Sequence, residues 1–453
     1  MKTQYIPDLL KSVRFLGTTA IGALLAFLFR YAENWVFDPV EPDTIYPGTV
    51  LTDPLASVRV SRSPERQMLP SNQVEWRIVT VTNRTFTLRE LAARAGSARL
   101  LGGTSQPPLH PASSDPRMAT EDTNPPPLTR TVSRPVIQTV RDQSELLQYN
   151  VPETQYVLSS VFLPGDRQRG ALRLAPEHVD GAEVWPEETL SRSAFLHQVQ
   201  SKLTEAGTQD VLVFVHGFNV SLSAATARAA QMAEDMPFHG VIIPFSWPSA
   251  GKADGYADDE LVAERYFWNL AELLADLHTS LPEGTRLHLL AHSMGNRVAL
   301  RALGALAGKQ HPVSEALVLN RDKLKTKFPG WSSWDESQLS TPPLSTLILA
   351  APDVAPGEFK WRTEGILYLA QSTILYTSDS DVALEGSSRV HGNEPRAGDT
   401  RADLQIDGIR ILRVSGVNHL DPLGHSYYGS NPQILNQLSQ LFLMSRPVRP
   451  VGL

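Results

Sequence analysis

The chain has 453 residues, 42% of them hydrophobic and 20% charged, which describes an ordinary globular protein long enough to bury a sizeable core. Its formal net charge of −7, from 41 basic and 48 acidic residues, argues against the basic field that a nucleic-acid binder carries. The absence of cysteine excludes disulfides, thiolate–zinc sites and a cysteine nucleophile.

Residues 1–35 read as a membrane anchor or signal segment. Phe15–Phe29 is an uncharged apolar run between Arg14 and Arg30, about 22 Å long as a helix against a hydrocarbon core of about 30 Å. Arginine snorkelling, with Tyr31 and Trp35, extends its reach, and no good small-x-small cleavage site follows. Lys2, Lys11 and Arg14 precede the run and acidic residues follow it. That bias places the rest of the chain on the non-cytoplasmic side (inner membrane and periplasm), or outside the cell if the segment is cleaved.

Residues 36–100 form an N-terminal extension in which 72–90 reads as a strand, marked by alternating Trp76, Ile78, Val79 and Val81. Residues 101–135 hold a concentration of prolines without apolar periodicity and read as a disordered loop. The segment 136–446 is assigned to an α/β domain, with short strand-like pieces such as 155–163 first and a core over 190–446.

In that core, apolar runs alternate with helical stretches. The runs are "DVLVFVHG" (210–217), "GVIIPFSW" (240–247), "RLHLLAHS" (286–293), "STLILAAPD" (345–353), "STILYTSDSD" (372–381) and "GIRILRVSG" (408–416). Continuous Val/Ile/Leu runs fit parallel strands covered on both faces. The alternation predicts a mostly parallel, doubly wound sheet, with helices over 221–236 and 257–277. An insert at 308–343 sets Arg321, Lys323, Lys325 and Lys327 beside Phe328, Trp331 and Trp334. It is either a surface excursion whose aromatics pack on the domain or a lid with an interfacial patch.

The chemistry centres on A-H-S-M-G, residues 291–295, between a strand and a helix that begins near Asn296. A serine on so tight a turn is exposed, and small residues two before and two after it permit the strain. Ala291 and Gly295 occupy those positions, with alanine where glycine is usual. A serine hydroxyl needs a base, and two histidines follow the last strand: His425, favoured because Gly424 and a helix near Pro432 leave it on a loop, and His419 as its rival. His292, beside the serine, is read as pointing elsewhere. The imidazole needs an oriented carboxylate. Asp381, on the later strand, is favoured over Asp353, one strand earlier, with Asp379 a lesser substitute.

Two backbone N–H groups must await the oxyanion. They are expected from Met294, after the serine, and from Phe218, in the His216-Gly217-Phe218-Asn219 loop. Trp247 and Pro248 either wall an acyl pocket or simply pack. No metal motif and no phosphate-cradling glycine run is present, so no metal and no cofactor is expected.

With "TNR" (82–84), "VFVHGFN" (213–219), "FSWPSAG" (245–251), "AHSMGNRV" (291–298), "LAAPDV" (349–354), "SDSDVAL" (378–384) and "GHSYY" (424–428), the chain resembles the α/β-hydrolase superfamily. Within it, the chain looks like a bacterial esterase/lipase-like branch. The resemblance implies an eight-strand-type sheet, a serine nucleophile and hydrolysis of a small-molecule or lipid carboxylic ester. An amidase or peptidase would use the same triad, and a non-catalytic binding module would keep the fold alone. The proline-rich stretch and the 308–343 insert depart from the branch's compact pattern.

Overall fold

A computed structural model describes residues 66–68, 73–84, 153–174, 181–307, 334, 339–416 and 420–444. The segment 1–35 read as an anchor or signal, the proline-rich stretch and most of the 308–343 insert lie outside these. Among the described residues no helix is long and apolar enough to cross a membrane.

The strands are β1 (Arg66–Met68), β2 (Gln73–Thr82), β3 (Gln155–Pro164), β4 (Glu183–Leu190), β5 (Asp210–Val215), β6 (Val241–Ser246), β7 (Arg286–His292), β8 (Leu344–Ala350), β9 (Ala370–Ser378) and β10 (Ile409–Val414). The helices are α1 (Arg192–Ala206), α2 (Leu222–Asp235), α3 (Tyr256–Ala263), α4 (Trp268–Ser280), α5 (Gly295–Leu306), α6 (Pro356–Glu364), α7 (Val382–Val390), α8 (Tyr427–Ser430) and α9 (Pro432–Met444).

All six apolar runs form strands of one sheet, ordered β10-β9-β8-β7-β5-β6-β2-β3-β4, with β1 on the flank of β2. From β10 to β6 every pairing is parallel. The reason for unbroken apolar runs is visible in β5. Val211, Val213 and Val215 enter the core on one face, while Leu212 and Phe214 enter the core on the other. Side chains alternate across a strand, so a sheet covered on both faces needs apolar residues at every position.

The first core is closed by α1, α4 and α5 through Phe195, Leu274 and Val298. The second is closed by α2, α8 and α9 through Met232, Tyr428 and Leu438. The Ala-rich α2 starts at Ser221, whose side chain accepts the Ala224 N–H at 3.1 Å, an N-cap that satisfies a donor the helix leaves over.

Three expectations change. The described sheet has ten strands, not eight. The strand assigned to an extension is β2, inside that sheet, antiparallel to β3 over Gln73↔Pro164 through Thr82↔Gln155 and parallel to β6 at Val81↔Phe245. The helix expected over 257–277 is two helices, α3 and α4. A continuous helix would offer the Glu264 carbonyl to the N–H four residues on, but Arg301 Nη1 donates to that carbonyl at 2.9 Å.

Trp334, from the insert, is buried in the first core. Its N–H donates to the Leu306 carbonyl at 2.8 Å and its carbonyl accepts Tyr368 OH at 3.0 Å. For this residue the packed alternative holds rather than the lid. Phe328 and Trp331 lie outside the described residues.

Candidate active site

The loops after β5, β7, β8, β9 and β10 converge at the carboxyl ends of neighbouring parallel strands, where open α/β sheets form their crevices. Ser293 sits directly after β7 with φ 53, a left-handed conformation that costs a non-glycine residue about 1–3 kcal/mol unless its surroundings enforce it. They do. Ser293 N–H donates to the Ala350 carbonyl at 2.9 Å, and its carbonyl accepts Asp353 N–H at 3.3 Å and Asn296 Nδ2 at 3.0 Å.

Two glycines are needed for the close packing. A Cβ on Gly295 would stand 2.3 Å from the His216 carbonyl oxygen, and one on Gly217 would stand 2.9 Å from Ser293 Cβ. The His-Gly loop therefore lies directly against the serine.

Ser293, His216, Phe218, Asn219, His292, Asp353 and His425 line one cavity of about 350 Å³. His425 Nδ1 bonds Asp381 Oδ2 at 2.7 Å, with both side chains buried. The other oxygen of Asp381 accepts Leu384 N–H at 2.9 Å. Asp381 stands beyond the end of β9, as the N-cap of α7, so the helix start fixes the carboxylate that orients the imidazole. Burial disfavours the imidazolium of His425, but the charge and hydrogen bond of Asp381, with Asp421 and Asp353 beyond, carry it above the ordinary histidine value. Burial pushes the Asp381 carboxyl up, against the pull of His425. Among the described residues neither Ser293 Oγ nor His425 Nε2 has a hydrogen-bond partner. The serine–imidazole bond expected from sequence is therefore not made here, although such bonds often tighten only when substrate is bound.

The rivals fall elsewhere. Asp353 lines the cavity, but Oδ1 accepts Ser387 Oγ at 2.5 Å and Arg396 Nε at 3.0 Å, and Oδ2 accepts Tyr256 OH at 2.6 Å. Burial would raise its carboxyl, yet the charges of Arg396 and Arg297 outweigh that and hold it at about 2. Asp353 therefore ties α3 and α7 together and meets no histidine. Asp379 is exposed and accepts Ser415 Oγ at 2.9 Å. His419 lies outside the described residues.

His292 does not point away, as its sequence position was read. Its Nε2 donates to the His425 carbonyl at 2.9 Å, and the two rings lie 4.6 Å apart. Burial, reinforced by the charge of His425, holds this imidazole well below the usual histidine value. A neutral ring can keep one N–H donor on the His425 main-chain carbonyl, so His292 holds the backbone of that histidine in place.

Sequence reasoning also missed the frame of the His216-Gly217-Phe218-Asn219 loop. Arg84 Nη2 donates to the Val220 carbonyl at 2.8 Å, Nη1 to the Ser249 carbonyl at 2.7 Å, and Nε to Ser246 Oγ at 3.1 Å. Asp259 accepts Ala250 N–H at 2.6 Å and Asn219 N–H at 3.4 Å. Asn219 itself has φ 58, which asparagine tolerates better than most residues. The only signals in the sequence were the "TNR" and "FSWPSAG" motifs, and the partners of Arg84 lie more than a hundred residues from it.

Met294 N–H stands at the N-terminal end of α5, where the helix dipole favours negative charge. Neither Trp247 nor Pro248 lines the cavity. Trp247 instead stacks on His216 at 5.1 Å and donates to its carbonyl at 2.7 Å. Among the described residues no group of three or more histidines and carboxylates is placed to hold a metal ion.

Among solved structures, the chain is similar to an uncharacterised protein from Capnocytophaga ochracea, with 10% identity and a TM-score of 0.30, covering 66% of this chain and 62% of that one. It thus spans less than two thirds of that protein's length. It is also similar to the carboxylesterase CesB from Bacillus subtilis, with 12% identity, a TM-score of 0.27, and 68% and 96% covered. For esterase B from Lactobacillus rhamnosis the identity is 10%, the TM-score 0.28, and the shares 67% and 91%. Likenesses this slight decide nothing about activity. No curated protein matches the chain. The family described as alpha/beta hydrolase of unknown function (DUF900) matches residues 191–442, more than half of the chain, with the serine turn, the donor loop and His425 all inside the match, and the protein belongs to that family.

Proposed function

We propose that the protein hydrolyses carboxylic esters through an acyl-enzyme on Ser293. The observation that carries this is the pairing of two constraints in one cavity: a serine held at φ 53, and a histidine whose Nδ1 is fixed by a buried carboxylate at 2.7 Å. Nδ1 is committed to Asp381, so Nε2 is the ring position left to accept a proton.

In the first half-reaction Ser293 Oγ attacks the ester carbonyl carbon and its proton passes to His425 Nε2. The tetrahedral oxyanion is met by the N–H groups of Met294 and Phe218, each such donor being worth about 3 kcal/mol. The C–O bond to the alcohol breaks, and the alcohol leaves with the proton from His425. Water then attacks the acyl carbon, gives a proton to His425, and releases the acid with Ser293 restored.

The test is labelling by a fluorophosphonate probe. The folded protein is expected to become labelled at Ser293, and labelling is expected to vanish in His425→Ala. An unlabelled wild-type protein would favour the non-catalytic binding module instead.

The raised His425 sets the pH dependence. The base must be neutral to act, so kcat/KM is expected to fall as pH drops through a midpoint above the ordinary histidine value of about 6.5. Asp421, which burial pushes up to about 6, contributes to raising His425 and lines the same cavity. Asp421→Asn removes that charge and is expected to move the acid limb to lower pH. A pH profile of both proteins with a neutral ester checks the direction, and an upward shift would contradict it.

A further inference from the structure

Four arginines bear on the cavity wall in two pairs: Arg167 and Arg169 precede its lining residues Ala171–Leu174 in the chain, and Arg173 and Arg228 line it directly. Arg167 donates to both oxygens of Asp235, at 2.9 and 2.6 Å. Arg169 donates to the Asp235 carbonyl at 2.9 Å and to Asn436 Oδ1 at 2.6 Å. These two lock the loop after β3 onto α2 and α9. Gly170 lies so close to α8 that a Cβ there would stand 2.2 Å from the Ser430 carbonyl oxygen, so the loop is held tightly.

Arg173 and Arg228 are the other pair. Both line the cavity that contains Ser293, and neither has a carboxylate partner among the described residues. Arg228 is nonetheless held in place. Its Nη1 donates to the neutral amide oxygen of Gln231 at 2.7 Å, and its guanidinium lies over the Tyr428 ring at 6.0 Å. Gln231 is fixed in turn by donating to Asp235 Oδ2 at 2.6 Å and to the Gly429 carbonyl at 2.9 Å. The Tyr428 ring lies 4.4 Å from that of His292, so a continuous wall runs from Arg228 to the base. The same cavity is also lined by apolar groups, among them Leu172, Leu174, Phe214 and Ala225.

The acidic residues of the cavity do not cancel these cations. Asp353 is paired with Arg396. Asp421 makes no ion pair with either arginine, and its backbone-side hydrogen bonds come from His425 and Ser426. A guanidinium held without a counter-ion, with donors to spare, is suited to a bidentate carboxylate or phosphate.

We propose that Arg228 and Arg173 form an anion subsite in the catalytic cavity, and that the ester cleaved at Ser293 carries a carboxylate or phosphate separated from the scissile carbonyl by an apolar segment. The inference rests on the reading of Ser293 as the nucleophile but not on that alone.

The experiment has two arms. In the first, kcat/KM is measured at low salt for 4-nitrophenyl butyrate against the 4-nitrophenyl hemiester of glutaric acid, which places the anion on the acyl side. The butyryl ester of glycerol 3-phosphate against that of glycerol places it on the alcohol side. One anionic substrate is expected to exceed its neutral counterpart by about tenfold, since hydrogen bonds to charged groups are worth about that much. The gain is expected in KM and to shrink with added salt. Arg228→Gln and Arg173→Gln should each bring the ratio towards one, while Arg228→Lys keeps part of it. Ratios near one in the wild type for both pairs, or ratios that neither glutamine variant moves, would overturn the proposal.

The second arm does not need turnover. Glutarate and inorganic phosphate are titrated calorimetrically into Ser293→Ala and into the same protein with Arg228→Gln, each checked for folding by circular dichroism. Binding of one anion, weakened about tenfold by the arginine change, is the expected result. Binding that is absent or indifferent to Arg228 overturns the subsite. Arginine-dependent binding, together with a wild-type protein that no fluorophosphonate labels, would leave the anion site standing and remove the ester reading.

Discussion

Ser293→Ala is expected to lower kcat/KM for 4-nitrophenyl butyrate by about 10⁴-fold or more, with little change in thermal unfolding. The reason for the first effect is chemical: without Oγ no acyl-enzyme forms, and only binding and the oxyanion donors remain. The reason for the second is geometric. The left-handed backbone at this position is enforced by bonds to the Ala350 carbonyl, Asp353 N–H and Asn296 Nδ2, all made by main-chain atoms of residue 293. Alanine retains them all. Stopped assays with purified variant, alongside a melting curve, decide the matter. Turnover close to wild type would mean that the serine turn is a structural feature only.

The two candidate acids are expected to separate in opposite ways. Asp381→Asn keeps an acceptor for the Leu384 N–H but presents an amide to His425, which favours the wrong tautomer. The expected result is a loss in kcat of about 10⁴-fold with the fold intact. Asp353→Asn leaves Arg396 without its carboxylate partner in the interior, while Arg297, which donates to the Asp353 main-chain carbonyl, keeps that bond. Breaking one partner of such a buried pair costs about 3–5 kcal/mol, so denaturant unfolding should shift far more than for Asp381→Asn.

The pH dependence has a definite sign. Asp353 is depressed to about 2 in the folded protein, below the unfolded value of about 3.9. Its stabilisation is therefore present above about pH 4 and is lost as pH falls towards 2. A stable Asp353→Asn protein without activity, beside an active Asp381→Asn protein, would reverse the assignment of the acid.

Much of the frame was legible because it is imposed over short stretches of chain. Unbroken apolar runs such as "VLVFV" mark strands that must satisfy a core on each face. The small residues around Ser293 mark a turn in which any larger neighbour would strike backbone, as the 2.3 Å approach at Gly295 makes explicit. The insertion of β2 between β6 and β3 was not legible, because only two residue pairs join β2 to β6 and its neighbours in space are remote in sequence. The break between α3 and α4 was hidden as well, since neither glycine nor proline marks it. It follows instead from Arg301 reaching across to the Glu264 carbonyl.

The sequence by itself determined the six parallel strands of the core, the serine turn, the His-Gly loop and a short roster of carboxylates and imidazoles, because each depends on volumes and backbone angles within a few residues. Only the tertiary structure decided which carboxylate meets His425 and which is consumed by Arg396, that His292 supports the His425 backbone, and that, among the described residues, Arg228 lacks a counter-ion while Arg167 has one. Those outcomes turn on distances through space. A hydrogen bond exists or fails within about half an ångström, and that precision is set by strand register and loop packing among segments tens to hundreds of residues apart.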